Sequence, residues 1–421
     1  MVGRRLQEAR KARGLTQQEV ADSLGFTRTT VTAMEKGERR TRPDELIQMA
    51  RLYGRPVGDF VGARAPISDF TVQFRASVAN LDSRQFQDEL RQAVESFQRL
   101  CEDYLYLENL NEAPFSQSYP RQYKTEGTSP EVAAEDVASS ERNRLALGDG
   151  PILNLRDVLE NDVGLRVFSI ELPSRVAGIF GYTEELGGCI AINARHPHDR
   201  RRWSLAHEYG HFLTSRYRSE VSMLGRQGRP RAGERFADAF ARCLLMPTAS
   251  LRRRFNEMSR TASGKVTAAE ICRLAHQYFV SVEAMMLRLE ELRLLPGGTW
   301  ERLRDRGFKV REAQRQLGLS PHPRDEWDLP LRYQYLAALA YDKEKLTEGE
   351  LARLLRVDRV AARRLVQDLA QSSLLQEGGQ FEFLSIDLAR SVSGEDEPAP
   401  QPSEVTDLFE GDLPHLAEHY S

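Results

Sequence analysis

Apolar residues return every three or four positions through the first 60 residues, and the residues that start and stop helices fall in register with them, which predicts five short helices. Leu6 and Ala9 share one face of the first helix, which stops at Gly14. Thr16 and Glu19 then form a T-x-x-E box, in which each side chain covers a backbone amide that the new helix would leave orphaned. Gly25 closes that helix, Thr27 caps the third, Val31 and Met34 face inward, and Gly37 ends it; Pro43, Asp44 and Glu45 suit the first turn of the fourth. The break between the second and third helices is very short.

Beyond residue 60 the pattern changes several times. A helix is expected from about Ser83 to Leu110, with Leu90, Ala93, Phe97, Leu100 and Tyr104 in one stripe that suits either the next domain or a second copy of the chain in a homodimer, intrachain packing being favoured. A loop-like stretch follows. From residue 131 come two helical segments, Ala133 to Leu147 and Leu153 to Asp162, then the strand-like LRVFSIEL, VAGIFGYT and GCIAIN before another helix, which is an α+β order. Between Trp327 and Ile386 a second box, Thr347 to Glu350, opens an apolar helix; a break at Val357 and Asp358 precedes a helix bearing Arg359, Arg363 and Arg364, and SLLQEGGQFEFLSI reads as a hairpin. That order suits a winged helix, with DNA contact as one reading and a packing or dimerisation element as the other. The expected architecture is multidomain and mainly α with α+β: an all-α helix-turn-helix unit at 1–62, a helical connector at 63–130, an α+β domain at 131–296, a helical, winged-helix-like region at 297–390, and an acidic, Pro-rich tail at 391–421 expected to be disordered.

Composition narrows the chemistry. The chain has 421 residues, enough for two to four domains, and its net charge of -3 argues for no partner by itself. The distribution says more: residues 1–60 hold 12 Lys and Arg against 8 Asp and Glu, whereas residues 391–421 hold 8 acidic residues and no basic one, so one end suits DNA and the other does not. Cys101, Cys189, Cys243 and Cys272 are far apart with no CxxC pair, which leaves His and carboxylate to bind any metal. No run of about 18 apolar residues is present and the start MVGRRLQEARKARG is not a secretory signal, so no membrane partner and a cytoplasmic location are expected.

The clearest chemistry lies in SLAHEYGHFL. His207 and His211, four apart on a helix, project from one face and can share one ion, with Glu208 placed to take a proton from metal-bound water. A third protein ligand is needed, and Glu234, opening ERFADAFARCLLMP, is the strongest candidate; Asp238, one turn on, could accept the spare N–H of a ligand histidine. Tyr209 points round the helix from the two histidines. His196 and His198 invite a second metal site but read better as solvated or capping residues, and His276 as a core or helix-surface histidine.

Two resemblances follow. Residues 15–37, LTQQEVADSLGFTRTTVTAMEKG, with MARLYG beyond, resemble the Cro/CI-type (XRE) helix-turn-helix domain, which implies double-stranded DNA as partner, Gln17 on a phosphate, and Arg28, Thr29 and Thr32 at base edges or backbone. Arg28 could be bidentate to guanine. Residues 131–295 resemble ImmA/IrrE-type metallopeptidases, a gluzincin-like family, through AIN at 191–193, WSLAHEYGHFL at 203–213, ERFADAFARCLLMP at 234–247 and LAHQYFVSVEAMMLRLEEL at 274–292. The family implies Zn2+ on His207, His211 and Glu234, Glu208 as catalytic base, and limited proteolysis of a repressor-like regulatory protein in a stress or mobile-element response; Asp238 stands where the family commonly has Asn. AIN is expected to be an edge strand along which a substrate peptide lies. Competing readings are a transcription factor whose zinc domain senses or binds a partner without cleaving, and a component of a toxin–antitoxin pair.

Overall fold

Caps set the first helices. A computed structural model of the chain describes residues 2–55, 57–61, 74, 83–223, 230–261, 265–320, 322 and 329–372. It begins with α1 (Val2–Ala12), α2 (Gln17–Leu24), α3 (Arg28–Lys36), α4 (Pro43–Tyr53) and α5 (Gly58–Val61). Both halves of the Thr16–Glu19 box are made, and Gly25 turns the chain in the left-handed region, at φ 70° and ψ 27°, where a side chain would be strained. Thr27 caps α3 by accepting from the Thr30 amide. Leu6, Ala9, Val20, Ala21, Val31, Met34, Met49 and Tyr53 close a separate core, against which Arg10 grips the buried Glu35 through bonds of 2.5 and 3.0 Å.

The long helix α6 (Arg84–Leu110) is capped by Ser83 and buries the whole stripe from Leu90 to Tyr104. It packs within the chain, as the favoured reading had it. After α7 (Pro130–Arg144), α8 (Leu155–Asp157) runs into a π-helical turn, Val158–Val163, and the sheet follows: β1 (Arg166–Ile170), β2 (Val176–Thr183) and β3 (Gly187–Asn193). Then come α9 (His198–Ser215), β4 (Glu220–Met223), α10 (Ala232–Leu245), α11 (Thr248–Thr261), α12 (Ala268–Gln277) and α13 (Val282–Glu291). Farther on lie α14 (Thr299–Asp305), α15 (Val310–Gln316), α16 (Leu331–Asp342), α17 (Glu348–Leu355) and α18 (Arg359–Ser372). The hairpin expected at 373–386 and the tail at 391–421 lie outside the described residues.

The strand order is β1-β3-β2-β4, with β3 parallel to β1 and antiparallel to β2, and β2 antiparallel to β4. This corrects the reading of AIN as an edge. Ala191, Ile192 and Asn193 lie on an interior strand whose backbone is paired on both sides and whose residues are all buried, so no peptide can add to it. Asn193 instead staples the β1–β2 loop, donating to the carbonyls of Leu172, Pro173 and Val176 and accepting from the Arg195 amide. Among the described strands the edges are β1 and β4, and β4 is a strand that the sequence pattern did not suggest.

Helices cover both sheet faces. Val167, Phe180, Ile190 and Ile192 share one core with residues of α9, α10, α12 and α13. Phe168, Ile179, Cys189 and Ala191 share the opposite core with α6, α16 and α17. On that side the buried Glu108 of α6 takes Arg166 of β1 at 2.6 Å and Arg332 of α16 at 3.1 Å, which fixes the helix on the sheet. No helix among the described residues is long and apolar enough to cross a membrane.

Candidate functional site

The four-residue spacing on α9 turns the two imidazoles toward each other, with His207 Nε2 and His211 Nε2 3.1 Å apart. Glu234, in the first turn of α10, brings one oxygen to 3.8 Å from His207 and the other to 3.9 Å from His211. A tetrahedral zinc with bonds of about 2.0–2.1 Å places its ligand atoms about 3.3 Å apart, so two nitrogens and one carboxylate at these separations fit such an ion after small adjustments. Among the described residues, this trio is the only group of three that converges in that way.

Close helix packing makes the convergence possible. Phe236, Ala237, Phe240, Ala241, Leu244 and Leu245 are buried along one face of α10. A Cβ on Gly210 would stand 3.2 Å from the Ala237 Cα, so the glycine inside HEYGH lets α10 approach and deliver Glu234. On the other side of α9, a Cβ on Gly178 of β2 would lie 2.5 Å from Glu208 Oε1. Gly178 thus makes the space that the Glu208 carboxylate fills. Glu208 is 0% exposed, His207 6% and His211 1%.

Asp238 Oδ1 lies 2.8 Å from His207 Nδ1, at the nitrogen turned away from the trio. Accepting a hydrogen bond from Nδ1–H there fixes the tautomer that leaves the Nε2 lone pair for the metal.

Sequence reasoning missed what holds α9 in rotation. The Tyr209 hydroxyl donates to Glu141 of α7, the Tyr123 hydroxyl donates to the same carboxylate at 2.8 Å, and Arg144 pairs with it at 2.8 Å while reaching Tyr209 at 3.1 Å. Glu141 is fully buried, and these donors satisfy it. Burial, followed by the nearby Glu141 charge, pushes the Tyr209 hydroxyl well above its ordinary pKa, so it stays a neutral donor. Burial likewise pushes Tyr123 up to about 12. Tyr209, expected to point round the helix from the two histidines, finds its partner in Glu141, which only the three-dimensional fold brings to it.

The other histidines among the described residues stand outside the trio. His196 bonds the Ser174 carbonyl at 3.0 Å, and His198 opens α9. His276 stacks on His322 at 4.0 Å between ring centres.

On the helix-turn-helix unit, Arg28 and Thr29 are exposed at the start of α3. Gln17 and Thr32, both half-buried, bridge α2 and α3: Thr32 donates to Gln17 Oε1 at 3.0 Å, and Gln17 Nε2 donates to Glu35 at 2.8 Å. Arg10, Leu15, Thr16, Gln17, Gln18 and Arg28 line a concavity of about 560 Å³. Arg39 and Arg42 converge on the buried Glu45 at 2.8 and 3.0 Å.

Comparison with known families agrees with this division. Residues 6–60 match the family model described as Helix-turn-helix, and residues 160–290 match the peptidase-family model described as the IrrE N-terminal-like domain. No curated protein matches the chain.

Proposed function

We propose that this chain, a helix-turn-helix domain joined to an IrrE N-terminal-like peptidase domain, is a DNA-binding regulator that cleaves a repressor-like protein by zinc-dependent limited proteolysis. The domains we assign are 1–62 for DNA and 131–296 for peptidase chemistry. One observation carries the reading: His207, His211 and Glu234 converge, and Glu208, between the two histidines on the same helix, has its carboxylate seated in a glycine-sized recess of β2.

His207, His211 and Glu234 would hold the metal, which supplies Lewis acidity toward the scissile carbonyl and a more acidic water. Glu208 accepts the water's proton and returns it to the leaving amine. Asp238 orients His207 through Nδ1, and the Tyr209–Glu141–Arg144 cluster keeps α9 from rotating. Because β3 is interior, the substrate strand belongs on β4, the edge nearer the face that carries Glu208, since a peptide adding to an edge is held extended for attack. At the other end, Arg28 and Thr29 reach DNA, and Gln17 and Thr32 set the angle between α2 and α3 that presents them.

The test is co-expression with a Cro/CI-type repressor encoded beside the gene, followed by mass spectrometry of both proteins. Glu208→Gln should retain metal, measured by elemental analysis, and reduce cleavage by about 10²–10⁴-fold. Equal cleavage by the two forms removes the peptidase reading. The burial of Glu208 and both histidines favours one second reading, a domain that stays closed and acts as a sensor until a signal opens it. In that case Glu208→Gln leaves transcriptional regulation unchanged.

A further inference from the structure

The turn between α17 and α18 repeats the turn between α2 and α3 position for position. Thr347 and Glu350 complete a capping box as Thr16 and Glu19 do, and eight helical residues follow in both. Arg356 then takes the left-handed conformation, at φ 57° and ψ 34°, in the place of Gly25. The Val357 amide bonds the Ala352 carbonyl at 3.1 Å, as Phe26 bonds Ala21 at 2.9 Å. Asp358 stands where Thr27 does and caps the next helix, accepting from the Ala361 amide at 2.8 Å. Leu351, Ala352 and Ala362 are buried at the places of Val20, Ala21 and Val31.

The side-chain bridge between the helices recurs as well. Thr32 touches Gln17 at 3.0 Å, and the equivalent Arg363 pairs with the equivalent Glu348 at 3.3 Å. The same two places meet in both pairs, so the second helix leaves the turn in the same direction.

The two units differ in charge. Residues 347–367 hold five arginines against three carboxylates, whereas residues 16–36 hold two cations against three. Arg356 and Arg353 are turned back onto α6, toward Ser96 at 3.2 Å and Asp103 at 3.7 Å. Arg359, Val360 and Arg364 are exposed on α18, and Arg359 and Val360 occupy the places of Arg28 and Thr29. An arginine pair with one exposed aliphatic residue suits phosphate, guanine and a thymine methyl. Both units also touch one turn of α6, since Arg99 donates to the Gly54 carbonyl at 3.2 Å and Ser96 receives Arg356.

We propose that α17 and α18 form a second helix-turn-helix that reads duplex DNA through α18, so that one chain holds two DNA segments. The inference is independent of the peptidase chemistry. It is tested by selecting duplexes from a random-sequence pool with the full-length chain, then measuring anisotropy on the recovered duplexes for wild type, Arg28→Ala, and the double variant Arg359→Ala with Arg364→Ala. The expected result is two motifs in the recovered duplexes, with Arg28→Ala relaxing one and the double variant the other. The double variant should lose roughly tenfold in affinity, and the slope of log K against log salt should fall by about 2. Circular dichroism melting should be unchanged, since the altered side chains are exposed. The proposal is overturned if the double variant binds like wild type with the same salt slope, as it would if α18 docked a protein. It is also overturned if Arg28→Ala relaxes every motif found, or if no duplex is recovered.

Discussion

The candidate metal centre and the N-terminal helix-turn-helix unit are built in opposite ways. At the centre His207, His211 and the neighbouring Glu208 are nearly or wholly buried, and the arrangement depends on contacts between distant segments such as Tyr209 with Glu141. The groups that would read DNA, Arg28 and Thr29, are exposed, and the residues that place them, Gly25, Thr27 and the Gln17–Thr32 pair, all lie on two adjoining helices and the turn between them. A buried constellation must be specified by the whole core around it, whereas a surface one needs only a correctly shaped turn. Damage to the first should therefore appear as lost stability or lost metal, and damage to the second as lost affinity in an intact fold.

The largest expected effect comes from emptying the carboxylate site behind α9. Glu141→Leu leaves Arg144, Tyr123 and Tyr209 without their shared acceptor, and removing one member of a buried pair costs about 3–5 kcal/mol. Chemical denaturation should show a loss near the lower end, because Arg144 is partly exposed. Tyr209→Phe removes one donor and keeps the charge pair, at a cost of about 1 kcal/mol. Equal losses from the two variants would mean that the cluster is not held together by its carboxylate.

Next is the support of His207. Asp238→Ala removes the acceptor at Nδ1 and should weaken metal affinity about 10–100-fold by competitive chelator titration, with little change in stability because the Asp238 side chain is 55% exposed. Unchanged affinity would show that packing alone orients His207.

The same contrast explains what could be read before the fold was known. Local rules were sufficient for the capping boxes at Thr16 and Thr347, the glycine turn at Gly25 and the four-residue spacing of His207 and His211. Glu234 was legible because α10 carries an apolar face in register with it. The strand order was not, since β3 reads the same at an edge or in the interior, and β4 is too short to show a pattern. Gly178 and Glu141 matter only through residues they meet across the fold.

A smaller effect is expected at the DNA face. Arg28→Ala should cost about 1–3 kcal/mol of binding to the preferred duplex and stay within about 0.5 kcal/mol of wild type in stability. A variant that melted early would put Arg28 among the groups that build the unit, and the contrast with the metal centre would fail there.

The smallest effect tests whether the caps alone carry the reading unit. Thr16→Ala removes the hydroxyl that accepts the Glu19 amide and should cost about 1 kcal/mol. The reciprocal bond, from the Thr16 amide to the Glu19 carboxylate, holds that carboxylate below its ordinary pKa, with the Thr16 side chain adding to the shift. A depressed pKa contributes stability that is present above the ordinary carboxylate range and is lost as pH falls through the lowered value. Glu19→Gln should therefore be less stable than wild type at neutral pH, and the gap should close on acidification, as followed by thermal melts across that range. A gap that stayed constant with pH would assign the effect to shape rather than charge, and the turn that presents Arg28 would then depend on packing as the metal centre does.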